Sequence, residues 1–425
     1  MGYLSDYMHY YSGTEVPEEY VYWSGLSILG HMLGRKCWIA HGDYFKFTGA
    51  LFVTLVGEAG SGKNTGLSVN KKIMVKTFPE YLMSASIQSR EDIAWQMGEE
   101  TPTNPKVWKN VNGSLQSFRP FYILNNELAS FLSVDKIRMV EFLTEVFDGE
   151  DFSTGFKKDR QLDPTRRQWF SDPHVSLLAG AVPSFFMDTL KMDLFSRGLG
   201  RRMIIVNATR TKCIPNPTFP TGAEAALARA IEHLKKAEKF TSAIRLDPDA
   251  SKWWDNWYKK HRDNRPIDPI LSQFWVTEPM QVLKVALNLN MCEFPFKTEM
   301  EVQHLQAAEV LLEKLKPEIV RLTSGIGRNE LAGVGSQLLD FIERTGGMQT
   351  ETNVLKYFRR YASSPEFAEI CNSYIKTGEL IVSMGKDGKL AYFTPNGRET
   401  FLKMQEQKEK DTLIKPAGSP SGNAT

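Results

Sequence analysis

Leu51-Phe52-Val53-Thr54-Leu55-Val56-Gly57-Glu58-Ala59-Gly60-Ser61-Gly62-Lys63-Asn64-Thr65 joins an apolar run to a glycine-rich loop ending in lysine. Its first six residues are a short apolar run rich in β-formers, the mark of a buried strand. Beyond Thr65, Leu67, Val69, Ile73 and Met74 recur at near-helical spacing among Lys71, Lys72 and Lys76. Strand, glycine-rich loop and helix is the context of a phosphate-binding loop, and Gly57 to Lys63 meets G-x-x-x-x-G-K in full. In such a loop the backbone N–H groups curl around the β- and γ-phosphates, and the helix N-terminus adds a favourable dipole. Lys63 supplies a mobile point charge for the terminal phosphates. The expected nucleotide-binding set is therefore Gly57, Gly60, Ser61, Gly62, Lys63, Asn64 and Thr65. Asn64 stands where a Ser or Thr hydroxyl ordinarily ligates magnesium, with Thr65 one place later.

A second strand follows at Phe121-Tyr122-Ile123-Leu124, ending in Asn125-Asn126-Glu127. In phosphate-loop ATPases this strand holds an Asp for magnesium and often a following Glu for the attacking water. Here Asn126 takes the Asp position and Glu127 is in place as the candidate general base. Asn64, Thr65, Asn126 and Glu127 are thus the candidate metal ligands, and two of them are amides, which bind a hard cation without supplying charge. A third strand, Val175–Val182, ends in apolar residues where a polar γ-phosphate sensor is usual; Ser184 is the nearest substitute.

Between these strands lies a basic stretch with interleaved aromatics, carrying Lys157, Lys158, Arg160, Arg166 and Arg167 beside Phe152, Phe156 and Trp169. It reads as a hairpin that contacts single-stranded DNA by phosphate pairing and base stacking, or as a solvated surface hairpin. Gly198-Leu199-Gly200-Arg201-Arg202 precedes a further strand, Met203–Val206. Arg202 or Arg201 is expected to stabilise charge on the transferring phosphoryl group in trans, the alternative being a basic loop paired with surface carboxylates.

The order of these parts resembles the helicase-like ATPases of phages, plasmids and mobile elements, related to superfamily 3 helicases and often joined to primase-polymerases. The resemblance runs from about Tyr3 to about Leu322 and rests on Gly57–Thr65, Asn126-Glu127, Phe147-Asp148-Gly149, the strand ending at Pro183, Gly198–Arg202 and the Val282–Leu287 helix. It implies an AAA+/RecA-like P-loop core, assembly as a ring such as a hexamer, and movement on single-stranded or forked DNA driven by ATP with Mg2+. It also implies a separate primase, polymerase or initiator as partner, and the cytoplasm of a bacterial host. The alternative activity is a non-motor switch, a helicase loader or initiator-type adaptor with slow hydrolysis.

The expected organisation is an N-terminal helical region (1–50), an α/β P-loop core (51–214), a helical lid (215–326), a winged-helix domain (327–404) and a disordered tail (405–425). The N-terminal tyrosines and Trp23 read as core, and Cys37–Ala40 with Phe45–Phe47 as a small hairpin. The lid reads as all-helical, with helices over Ala223–Lys239, Asp249–Arg262, Pro279–Met291 and Glu299–Leu322. Three helices and a hairpin beyond Gly327 describe the winged helix, in which Lys356, Arg359, Arg360, Lys386 and Lys389 are the basic residues and partner protein or DNA the alternatives.

Composition sets the outer bounds. At 425 residues, with 42% hydrophobic and 24% charged residues, the chain has the make-up of a soluble globular protein. A net charge of +2 does not by itself announce nucleic acid. No apolar run approaches the ~20 residues of a membrane span. Four scattered cysteines without metal spacing indicate free thiols in a reducing compartment.

Overall fold

The computed structural model describes residues 2–85, 88–98, 108–109, 115–116, 120–133, 136–149, 152–154, 168–170, 173–188, 198–323, 331–359, 361–384 and 390–403. They belong to two compact units, Met1–Thr323 and Ser324–Thr425. The strands of the first unit are β1 (Cys37–His41), β2 (Phe45–Thr48), β3 (Phe52–Val56), β4 (Leu82–Met83), β5 (Trp108–Lys109), β6 (Leu115–Gln116), β7 (Phe121–Asn125), β8 (Phe152–Thr154), β9 (Gln168–Phe170), β10 (Val175–Ala181), β11 (Met203–Asn207), β12 (Ser242–Leu246) and β13 (Glu299–Met300).

The central sheet has the order β11-β3-β10-β7-β4, and every neighbouring pair is parallel. Every residue of β3 and β10 is buried, as expected where helices cover both faces of a parallel sheet. The helix after the glycine loop, Lys63–Thr77, packs on one side of these strands together with the long apolar helix Glu18–Leu33. The expected strand from Tyr81 shortens to β4 among the described residues. Beyond it Ser84 Oγ turns to the β7 backbone and accepts from Leu124 N at 3.1 Å.

The N-terminal aromatics are core. Tyr3, Tyr7 and Tyr20 are fully buried, and each hydroxyl has a partner. Asn70, on the loop helix, is the hub of this packing. Its Oδ1 accepts from Tyr7 Oη at 2.7 Å, while Nδ2 donates to Ser24 O at 2.8 Å and Tyr122 Oη at 3.3 Å. One amide thereby ties the N-terminal helix Tyr3–Tyr11, Glu18–Leu33 and β7 to the loop helix.

The expected regions 1–50 and 215–326 are interleaved. β1 and β2 form the expected hairpin, but β12 pairs in parallel with β1, Cys37 opposite Ser242, giving a second sheet of order β13-β12-β1-β2. The later block is therefore not all-helical. Helix Ala223–Lys239 lies against Tyr3–Tyr11, and Arg229 bonds both Asp6 oxygens.

Two helices also differ from expectation. The one expected from Pro279 spans Pro269–Asn290, capped by Asp268 Oδ1 accepting from Ile270 N and Leu271 N, with Pro279 inside it. A proline there frees the carbonyl four residues back. That carbonyl, Trp275 O, accepts from His261 Nε2 at 2.9 Å, so the interior proline leaves no orphan. The helix expected over Glu299–Leu322 instead begins as β13 and continues as Val302–Glu313 and Lys316–Thr323, with Pro317 at the start of the second piece.

The second unit contains helices Leu331–Arg344, Glu351–Phe358 and Ser364–Thr377 and an antiparallel sheet of order β14-β16-β15, where β14 is Met348–Thr350, β15 is Ile381–Met384 and β16 is Leu390–Phe393. Leu338, Ile342, Val354, Phe358, Phe367 and Leu380 fill its core. The third helix opens with a capping box, in which Glu366 Oε2 accepts from Ser363 N at 2.8 Å.

Asn70→Ala strands the Tyr7 hydroxyl and the Ser24 carbonyl in the core. It is expected to lower unfolding free energy by about 2–3 kcal/mol, against about 1 kcal/mol for Tyr7→Phe, as read by denaturant titration.

Candidate functional site

Parallel register brings the ends of three strands to one edge of the central sheet. Ala181 stands opposite Val56, and Asn125 opposite Ala179, so Asn126 and Glu127 come level with the end of β10. The glycine loop leaves the same edge. Gly60 and Gly62 hold φ of +83° and +93°, a backbone open to glycine and strained for other residues, and Gly62 caps the loop helix. Glu58, Ala59 and Gly60 are exposed, as are Asn64 and Thr65, while Lys63 is buried. Lys63 Nζ donates to Gly57 O and, at 3.2 Å, to Glu58 O. Burial lowers the Lys63 pKa, and the nearby Glu127 and Glu58 carboxylates oppose that shift. Lys63 and Glu127 thus share one electrostatic environment.

Glu127 is the N-cap residue of the short helix Leu128–Leu132. Its Oε1 is buried and has no hydrogen-bond partner among the described residues. Its backbone is held by Asn125, whose Oδ1 accepts from Glu127 N at 2.9 Å and whose Nδ2 donates to Ala85 O at 3.4 Å. Gly180 permits this close approach, because a Cβ there would lie 2.5 Å from Asn126 O. Asn126 itself is exposed.

Two residues that sequence reasoning passed over set this edge. Asn125 fixes the Glu127 turn, and the doubled Asn at the strand tip was the signal for it. Tyr20 Oη donates to Val56 O and, at 2.8 Å, to Ala208 O, clamping the ends of β3 and β11 beneath the loop. Beside the loop opens a cavity of about 680 Å3, lined by Val16, Pro17, Tyr22, Asn207 and Glu318 among others. Pro17 Cδ lies 3.5 Å from where a Gly62 Cβ would stand, so cavity and loop adjoin. Asn207 Nδ2 donates to Glu318 Oε2 across it at 2.7 Å.

Arg201 and Arg202 are not part of this constellation. They precede Met203, which pairs with Phe52 at the start of β3, so the length of β3 separates them from the loop. Five residues at about 3.3 Å put that separation at roughly 16 Å. Arg202 is buried and turned inward: its Nε donates to Asp148 Oδ1 and Oδ2 at 3.0 and 3.1 Å, and a terminal nitrogen donates to Gly198 O at 3.0 Å. This placement does not suit an arginine reaching across a boundary. Arg201 is partly exposed, and its Nε has no partner among the described residues.

Lys284, from the helix Pro269–Asn290, joins the Arg202–Asp148 pair. It is fully buried, donates to Phe147 O at 3.3 Å and lies 3.6 Å from the Phe147 ring centre. Burial pushes its pKa down to about 7, against the pull of Asp148. Lys157, Lys158, Arg160, Arg166 and Arg167 lie outside the described residues. The strands that flank them, β8 and β9, pair antiparallel with Phe152 opposite Phe170. Arg360, Lys386 and Lys389 also lie outside. Among the described residues no group of three His, Cys, Asp or Glu side chains is placed to hold a metal, and no helix is long and apolar enough to cross a membrane. Of the four free cysteines, Cys213 is exposed and the other three are buried.

The sequence matches no protein-family model and no curated protein.

Arg202 is buried while Asp148 reaches solvent, so Asp148→Ala strands a buried charge and should cost about 3 kcal/mol, whereas Arg202→Ala leaves a solvated carboxylate and should cost less. The double variant should cost less than their sum in a double-mutant cycle. Lys284 keeps its proton up to about 10.5 when unfolded but loses it near 7 when folded. Between those values the unfolded state binds more protons, so stability rises with pH by at most about 1.4 kcal/mol per unit. Lys284→Met should lack that rise when stability is compared with the wild type across the same range.

Proposed function

We propose that this chain is an ATP hydrolase with a P-loop core of AAA+/RecA type, acting as an ATP-dependent DNA helicase or translocase in a ring of subunits. The observation that carries the proposal is the meeting of Lys63 and Glu127 at one sheet edge, the carboxylate having a buried oxygen that no other described group engages. The strand order β11-β3-β10-β7-β4, with β10 between the loop strand and the carboxylate strand, supports the same reading.

In this mechanism the exposed glycine loop holds the triphosphate, and the adjoining cavity receives the base and ribose against Val16, Pro17 and Tyr22. Lys63 exchanges its two carbonyl partners for phosphate oxygens, a better match for its charge. Glu127, oriented by Asn125, accepts a proton from the attacking water. The water oxygen bonds to the γ-phosphorus, the bond to the bridging oxygen breaks, and ADP leaves with that electron pair. Thr65, the amides Asn64 and Asn126 and the Glu127 carboxylate, with its orphaned oxygen, are the residues that would hold magnesium. When bound, the ion neutralises charge on the phosphate oxygens.

Arg201, partly exposed at the far sheet edge where Arg202 is turned inward, is the arginine left to serve a neighbouring subunit's nucleotide. DNA contact is assigned to Lys157, Lys158, Arg160, Arg166 and Arg167, between the paired strands β8 and β9. The second unit reads as a winged helix. A second reading, a loader or initiator-type switch with slow hydrolysis, is favoured by the amides at Asn64 and Asn126 and the apolar tip at Ala181 and Val182.

Steady-state ATPase with and without single-stranded DNA tests both readings. The motor predicts DNA-stimulated turnover, lost in Lys63→Ala together with ATP binding. Glu127→Gln should retain ATP and lower turnover about 10²- to 10⁴-fold. Weak turnover indifferent to DNA selects the switch, and absence of affinity for ATP or GTP with magnesium sinks both.

A further inference from the structure

We infer that the second unit carries a docking groove for an acidic amphipathic helix of a partner protein. A cavity of about 330 Å3 lies between helices Glu351–Phe358 and Ser364–Thr377. Phe358 and Phe367 form its floor, both buried, with ring centres 5.8 Å apart. Leu355 and Ala362 wall it, and Leu355 is left 39% exposed. The floor rings are already out of water, so what an occupant would cover is the apolar wall, chiefly Leu355 with Ala362.

Charge selects the occupant. Lys356 and Arg359 stand on the rim, three residues apart and so on one helix face. Both are exposed, and neither has an ion-pair partner among the described residues. Among the described residues no carboxylate lines the groove. Glu366, next to Phe367 in the chain, is turned back onto Ser363 N and Oγ. An apolar trough flanked by two cations that no described carboxylate pairs with fits a helix that presents apolar anchors at i, i+4 and i+7 with Asp or Glu beside them. Two turns of helix line the trough, about 12 Å, enough for such anchors. Nucleic acid fits less well. The apolar floor offers phosphate nothing, and the exposed face of Ser364–Thr377 presents Glu366 and Glu369.

Fluorescence polarisation on the full chain tests this inference. The probe is a fluorescein-labelled peptide with leucine and tryptophan at i, i+4 and i+7 and glutamate between them. Its controls are the same peptide with lysine for glutamate, and single-stranded DNA of equal label. Saturable, salt-sensitive binding of the acidic peptide alone is expected. Lys356→Glu combined with Arg359→Glu should weaken it about tenfold or more, and Leu355→Asp should abolish it. All three side chains are exposed, so thermal unfolding of the variants should match the wild type. Failure of the acidic peptide to bind, equal binding of the lysine peptide, or binding that survives both sets of substitutions overturns the inference. So does DNA binding that the charge reversal removes while peptide binding is absent.

Discussion

Parallel pairing of β3, β10 and β7 places the glycine loop and the Glu127 turn side by side. Parallel strands share a direction, so whatever follows them emerges at one edge. The glycine loop, the end of β10 and the Asn126–Glu127 turn meet there because Val56, Ala181 and Asn125 are locked in register. A shift of one residue would reverse every side chain of a strand that is buried on both faces. The contacts at this edge are small and close: the hydroxyl of Tyr20 on two strand ends, the amide of Asn125 on one backbone N–H, and a glycine where β10 passes the turn.

The opposite edge gathers cations. Arg202 and Lys284, both buried, gather around the more exposed Asp148, with Lys284 supplied by the helix Pro269–Asn290. That helix also grips the backbone before β11, for Thr277 Oγ1 donates to Arg201 O at 2.5 Å and Gln281 Nε2 to Arg202 O at 2.6 Å. The turn carrying both arginines therefore moves with the helix rather than as a loose loop.

What the sequence made legible was local. Strand, loop and helix around Lys63 are written in apolar periodicity and glycine placement, and the hairpin Cys37–Thr48 in two short β-rich runs. Contacts over long separations were not legible. Ser242–Leu246 is only partly buried and pairs with a strand some two hundred residues earlier, so nothing in its own pattern marks it as sheet. Pro279 looked like a helix start because its cost is local, while its remedy, His261, lies on another helix. The inward turn of Arg202 depends on Asp148, fifty-four residues away, and a run of basic residues says nothing about such a partner.

The interleaving of the two ends of the first unit bears on how the chain is made. Strand Cys37–His41 leaves the ribosome with its hairpin partner Phe45–Thr48 close behind, yet its other edge must wait for Ser242–Leu246. During synthesis that open edge, and the tyrosine helix that awaits Ala223–Lys239, are available to other chains. Nascent molecules are accordingly most prone to mispairing before residue 246 has emerged, and a product halted upstream of it lacks the strand that closes its own sheet.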